Sequence, residues 1–231
     1  MPVAVHSFAM INLGLAIGPR REDGFHELRT VYQTIALGDR LRVEAASGRG
    51  IEVRCNHPRV PQGDSNTCYR MAELALQALG ARRRVIIHIE KRLPVQGGLG
   101  AASSNAAATL LGLERALKAR LPAAERMRLA AAVGSDVPLF LVGGTVLGLG
   151  RGEEVYPLPD LPPLPCVVAT PELGVSTPQA FADWDKLAGA DPAGKLTGAA
   201  ASDRINACSH SMVGWLSGSK RTLGVRVYLK K

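Results

Sequence analysis

The sequence predicts an α+β fold. Strand-like alternation and helix-like periodicity are interleaved along the chain, and several strands follow one another with no helix between them. The 231 residues, 46% of them apolar, suffice for a core of ordinary size. The regular strand–helix–strand alternation of a wholly parallel sheet is missing.

The first strand is marked by Ile11, Leu13, Leu15 and Ile17, which fall at every second position. Pro19 and Gly24 interrupt it in PRREDGFHEL, which reads as a hairpin loop. RLRVEAA (40–46) and IEVRC (51–55) are expected strands, and NTCYRMAELALQAL (66–79) is an expected helix with Gly80 just past its end. RVIIHIE (84–90) is a strand. A glycine-rich loop then leads into a helix running to Lys118, with Ser103, Ser104 and Asn105 as N-cap candidates and Ala106, Leu110, Leu113 and Leu117 at helical spacing. Pro122 suits the first turn of a further helix that Gly134 closes, and TVLGL (145–149) is a strand. The five prolines of PLPDLPPLP (157–165) exclude regular helix or central strand and suggest a crossing between domains 1–160 and 161–231. A strand at 166–170 and a helix from Pro178, capped by Ser176 or Thr177, follow, and periodicity fades beyond residue 188.

The balance of 28 basic and 20 acidic residues, a net charge of +8, favours an anionic ligand. The basic residues are scattered and aromatics are only 4%, which argues against a nucleic-acid-binding module. Cys55, Cys68, Cys166 and Cys208 show neither metal-ligand spacing nor a dense disulfide pattern, and read as free thiols in a reducing compartment. No signal-peptide layout opens the chain, and VPLFLVGGTVLGLG is too short and glycine-rich to span a bilayer. The expectation is a cytoplasmic protein with no membrane or nucleic-acid partner, a monomer or weak homodimer.

Gly97, Gly98 and Gly100 carry the chemistry. Without side chains the backbone approaches an oxyanion closely, its N–H groups converge, and the helix that follows adds its positive end. A flexible loop before a capped helix is the plainer alternative. The preceding strand, the basic pair Lys91-Arg92 and the Ser103-Ser104 that opens the helix favour a phosphate site. The Gly-Lys-Ser/Thr ending of the common P-loop is missing.

PVQGGLGAASSNAAATL resembles the second signature of the GHMP kinases, the superfamily of galactokinase, homoserine kinase and mevalonate kinase. INLGLAIGPRREDGFHELRTVYQTIALGD, GSDVPLFLVGGTVLGLGRGEEVYPLP and GVSTPQAF resemble further blocks of one branch, and the likeness runs nearly continuously from residue 7 to 187. The resemblance implies the GHMP kinase two-domain fold, with an N-terminal βαβ-type nucleotide-binding domain and a ferredoxin-like C-terminal domain, truncated here. It also implies ATP and Mg2+ as cofactors, and transfer of phosphate to the 2-hydroxyl of 4-diphosphocytidyl-2-C-methylerythritol in isoprenoid biosynthesis.

By the same resemblance Asp136 is the catalytic base, and Met10 in SFAMINL stands where the family carries a lysine. The ATP site is implied to comprise Asn66, Lys91, Pro94, Gly97, Gly98, Leu99, Gly100, Ala101, Ala102, Ser103 and Ser104, with Ser104 in reach of magnesium. Asn12, Phe25, His26, Thr177 and Phe181 are implied to hold the acceptor, with His26 on the cytosine between aromatic rings. Plainer roles stand beside several of these: Asn66 and Thr177 as helix caps, Lys91 as a solvated charge, Asn12 as a strand-edge partner. Methionine has no charge and no donor, so a catalytically impaired, binding-only relic is the alternative reading. Ser217-Gly218-Ser219-Lys220 departs from the family's third glycine motif.

Overall fold

The computed structural model describes residues 1–170 and 176–189. Two long strands, β1 (Val3–Arg20) and β2 (His26–Ala46), form an antiparallel hairpin from Val3↔Val43 to Arg20↔His26, with register shifts at Phe8/Ala9, Asn12/Gly14 and Ile17/Arg20. The bulges bend the ribbon, so that one hairpin serves two parts of the sheet. The C-terminal half of β2 pairs antiparallel with β4 (Arg84–Glu90), and its N-terminal half with β5 (Thr145–Leu149). Between these two pairings, residues 34–39 of β2 pair with neither strand. Along this stretch Ile35 packs against Leu93 and Leu99, and the Asp39 carboxylate accepts from the Arg92 and Leu93 N–H groups.

The strand β3 (Gly50–Cys55) runs parallel to β4, and the helix α1 (Thr67–Ala78) lies between them in sequence, so the sheet contains one βαβ unit. A short β6 (Glu154–Pro157) adds to β5, and the order is β3-β4-β2-β5-β6 with β1 on β2. One face of the sheet is covered by α1, α2 (Ala101–Leu117) and α3 (Ala123–Val133). Leu41, Val43, Val53, Val85 and Ile87 from the strands meet Met71, Ala75, Leu110, Leu113 and Leu129 from the helices. Gly112 lets α2 sit close, because a Cβ there would lie 2.7 Å from Val43. Two further helices are α4 (Leu139–Val142) and α5 (Thr177–Gly189).

Two local expectations are corrected, at residues 166–170 and at the cap of α2, and other segments gave no signal in the sequence. Residues 26–39 are strand, though polar and small residues break their alternation; pairing with β1 supplies the hydrogen bonds that pattern alone did not signal. Residues 166–170 have no regular structure, although Val168 packs against the cluster of Ala9, Leu93 and Leu99. Short β6 and α4 lacked a sequence signal because neither is long enough to show a period. Gly100, at φ 66°, is the N-cap of α2, so Ser103, Ser104 and Asn105 lie inside the first turns. The tail carrying Ser217-Gly218-Ser219, most of the expected second domain and Cys208 lie outside the described residues. No helix among the described residues is long and apolar enough to cross a membrane.

Candidate active site

The glycine turn is built from unusual backbone. Gln96, Gly98 and Gly100 have φ of 61°, 70° and 66°, in the left-handed region that glycine adopts without strain. Gly98 is exposed, and a Cβ there would meet nothing within 4 Å, so the turn's outer backbone is open to a ligand. The other side is closed. A Cβ on Gly97 would lie 2.6 Å from Pro94 Cγ, and one on Gly100 would lie 2.8 Å from Phe140 Cζ and 3.0 Å from Met10 Cγ. Leu99 is buried with Ala9 and Leu93, and its carbonyl accepts a hydrogen bond from the Met10 N–H at 3.1 Å. The turn is thus strapped to β1 and opens α2, whose N-cap makes no side-chain hydrogen bond. Unpartnered N–H groups at a helix start suit an anion.

Gly100→Ala is therefore expected to destabilise the fold by about 1–3 kcal/mol, through left-handed strain plus crowding against Phe140 and Met10. Gly98→Ala, which meets open space, costs less. Equal shifts in the denaturation midpoints of the two variants would contradict this account of the packing.

A buried polar network holds the approach to the turn. Asp39 is fully buried; its Oδ1 accepts from the backbone N–H groups of Arg92 and Leu93, each at 2.8 Å. Its Oδ2 accepts from Lys91 Nζ at 2.6 Å and Asn105 Nδ2 at 3.1 Å. Ser7 donates to Asn105 Oδ1 at 2.5 Å, and its Oγ lies 2.8 Å from Ser104 Oγ. One carboxylate thus ties β2 to the loop leaving β4 and to the start of α2.

Three residues expected at the ATP site make internal hydrogen bonds, Lys91 and Ser104 within this network and Asn66 at the start of α1. The Lys91 side chain is only 5% exposed and its ammonium is spent on Asp39. Ser104 is buried, with its Oγ 2.8 Å from Ser7 Oγ, and no group of three or more His, Cys, Asp or Glu side chains converges among the described residues. Asn66 caps α1, accepting from Cys68 N at 2.8 Å and donating to the Pro61 carbonyl at 2.6 Å, which uses its amide for structure. Ser103, Ala101 and Ala102 remain at the outer rim of the first turn of α2.

Asp136 lies between α3 and α4, in a Gly-Ser-Asp-Val-Pro turn. Its Oδ1 accepts from the Tyr32 hydroxyl at 3.2 Å. Burial pushes the Asp136 carboxyl above the usual carboxylate range, and the Tyr32 hydrogen bond pulls it part of the way back. Tyr32 packs with Met10, Leu139 and Val146, and Met10 in turn touches Gly100. Glycine turn, Met10, Tyr32 and Asp136 form one continuous series of contacts. The carboxylate and the turn share a neighbourhood, with Met10 between them.

The acceptor-side residues gather at the β1–β2 loop. His26 is 7% exposed, and its ring stacks on Phe181 of α5 with centroids 5.0 Å apart and planes 8° apart. Its Nε2 sits 2.7 Å from Asp185 Oδ1. Phe25 is half exposed, with the Arg151 guanidinium 5.0 Å from its ring centroid. Asn12 donates to Thr30 Oγ1 at 2.7 Å, inside the hairpin. Thr177 begins α5. Residues brought in by the structure and not anticipated are Tyr32, Asp39, Arg151 and Asp185. Tyr32, Asp39 and Asp185 find their partners only when distant segments pair, whereas Arg151 pairs with nearby Glu153 as well as with distant Phe25.

A glycine turn at a helix start, beside a half-shielded carboxylate on a sheet with one βαβ unit, defines a class. Residues 66–144 match the family described as GHMP kinases N terminal domain. The Methanococcus jannaschii mevalonate kinase structure shares the fold, with a TM-score of 0.53 at 14% identity over 69% of this chain and 56% of that one.

Within the class, this chain is similar to 4-diphosphocytidyl-2-C-methyl-D-erythritol kinases. It is 45% identical to the one from Acaryochloris marina over 174 residues, which are 75% of this chain and 56% of the relative. The Moorella thermoacetica relative is 41% identical over 186 residues, 80% of this chain and 65% of its own length. A crystal structure of 4-(cytidine 5'-diphospho)-2C-methyl-D-erythritol kinase superposes with a TM-score of 0.67 at 40% identity, over 78% of this chain and 63% of that chain. The chain thus spans less than two thirds of the length of these relatives.

Proposed function

We propose that this protein transfers the γ-phosphoryl group of ATP to an alcohol, the 2-hydroxyl of 4-diphosphocytidyl-2-C-methylerythritol. The observation that carries the reading is the continuity of the open glycine turn, Met10, Tyr32 and Asp136. The names of the relatives supply the substrate. Phosphoryl transfer asks mainly for positioning and charge stabilisation. The N–H groups of residues 97–102 and the positive end of α2 take the phosphates, and Asp136 aligns the alcohol and accepts its proton. The stacked rings of His26 and Phe181 form the wall against which the pyrimidine lies. The expected Mg2+ would arrive with the nucleotide phosphates, keep several waters and need only one or two protein oxygens, and no step here passes through it.

Calorimetric titration with the cytidine substrate and a non-hydrolysable ATP analogue, followed by 31P detection of product with ATP, tests the reading. Binding of both with product formation supports it; binding of neither overturns it.

Met10 limits the rate in this reading. It is buried and uncharged, so no ammonium balances charge between turn and carboxylate. Met10→Lys is expected to raise turnover by about 10²–10⁴-fold, the usual contribution of one proton-transfer or electrostatic partner. A folded variant with no gain would remove Met10 from the reaction. The binding-only alternative rests on Met10, and no relative favours it over the kinase.

A further inference from the structure

We propose that Tyr32 is a positioning residue for Asp136: its hydroxyl fixes the carboxylate through Oδ1 and leaves Oδ2 to face the acceptor alcohol. The inference rests on the reading of Asp136 as the base. Tyr32 is not simply a core ring. It is 2% exposed on β2, opposite Val146 of β5, and its ring packs on Met10 and Leu139. Two glycines make room for it. A Cβ on Gly148 would lie 2.5 Å from Tyr32 Cε2, and one on Gly152 would collide with the Tyr32 hydroxyl. A Cβ at Gly152 would also lie 3.8 Å from Asp136 Oδ1, so a single side-chain-free residue leaves room beside both groups. Among the described residues the Tyr32 hydroxyl bond is the one hydrogen bond made to the Asp136 carboxylate.

The bond has a chemical consequence. A buried carboxylate drifts toward its neutral form, which is useless as a base, and a donor aimed at it favours the ionised form. The phenol keeps its own proton throughout, because burial first and the Asp136 charge second push it far above its ordinary range. The other charged groups near the pair are Glu153, which adds to the upward push on Tyr32, and Arg151, whose Nε is 2.9 Å from Glu153 Oε1. From β1 the neighbour is uncharged Met10, and from α4 it is Leu139.

Tyr32→Phe keeps the ring and removes the donor. The 13C carboxylate resonance of Asp136 is expected to titrate at higher pH in the variant. The acid limb of the kcat/KM profile moves the same way, and kcat falls about tenfold, the loss expected of one hydrogen bond to a charged group. KM for ATP stays unchanged. A 3,5-difluorotyrosine at position 32 preserves the packing and strengthens the donor, so both titrations move to lower pH, which keeps the test decisive if Tyr32→Phe folds poorly. An Asp136 resonance indifferent to both replacements overturns the proposal. A resonance that moves while the kinetic profile stays put preserves the Tyr32–Asp136 coupling but overturns the positioning role, and it locates the failure in the assignment of Asp136 as base.

Discussion

Asp136→Asn is expected to cut phosphoryl transfer by orders of magnitude while leaving the protein folded and its ligands bound. Asparagine keeps the shape and still accepts from the Tyr32 hydroxyl, but it cannot take a proton from an alcohol. A loss of about 10²–10⁴-fold in kcat is the range for a general base, with little change in KM for ATP. Stability moves the opposite way. Burial raises the Asp136 carboxyl above its unfolded value. The native state therefore holds a proton over a pH window in which the unfolded chain has released it. Stability falls as pH rises through that window and stays lower above it. Asparagine has no such window, so denaturation at neutral pH should find the variant as stable as the parent or more so. A variant that retains full turnover, or one that loses stability at neutral pH but not in acid, would refute this account of the site.

Asp39→Ala should be the most damaging single change to the fold. Four donors converge on that carboxylate: Lys91 Nζ, Asn105 Nδ2 and the N–H groups of Arg92 and Leu93. Removing it leaves an ammonium buried without its partner, and breaking a buried pair from one side costs about 3–5 kcal/mol. For a chain of this size that is a Tm lower by about 6–20 °C. The damage should reach the ligand site, because the same carboxylate pins the loop entering the glycine turn. Nucleotide binding should weaken in step with stability. Thermal unfolding followed by circular dichroism, with nucleotide titration below the transition, measures both. A Tm within a degree or two of the parent would show that the network contributes no more than a surface ion pair.

The turn at residues 97–100 was legible before any coordinates because its chemistry is local. Glycines close together, a strand before and a helix after are all adjacent in the chain, and the positive φ of Gly98 and Gly100 is what glycine permits. Helix α1 was legible for the same reason, with its cap at Asn66 and its stop at Gly80. The long first halves of β1 and β2 were only partly legible. They are held by each other across bulges, and a bulge breaks the two-residue alternation that marks a strand.

Lys91 and Ser104 show the converse. Their residue types and position beside the glycine turn suit a phosphate or a metal, and the sequence offers nothing against it. Asp39 lies 52 residues before Lys91, and Ser7 lies 97 before Ser104. Only the folded chain brings these partners close enough to claim both groups. Tyr32 and Asp136, 104 residues apart, are joined in the same way.

By itself the sequence determined the α+β class, the glycine-rich turn before a helix, and the positions of Asp136 and Met10 in the segments that resemble the GHMP kinases. Each of those rests on residue type or short-range spacing. Tertiary structure alone decided which polar side chains pair with one another inside the fold, because a hydrogen bond is made at about 3 Å between groups whose distance along the chain imposes no such limit.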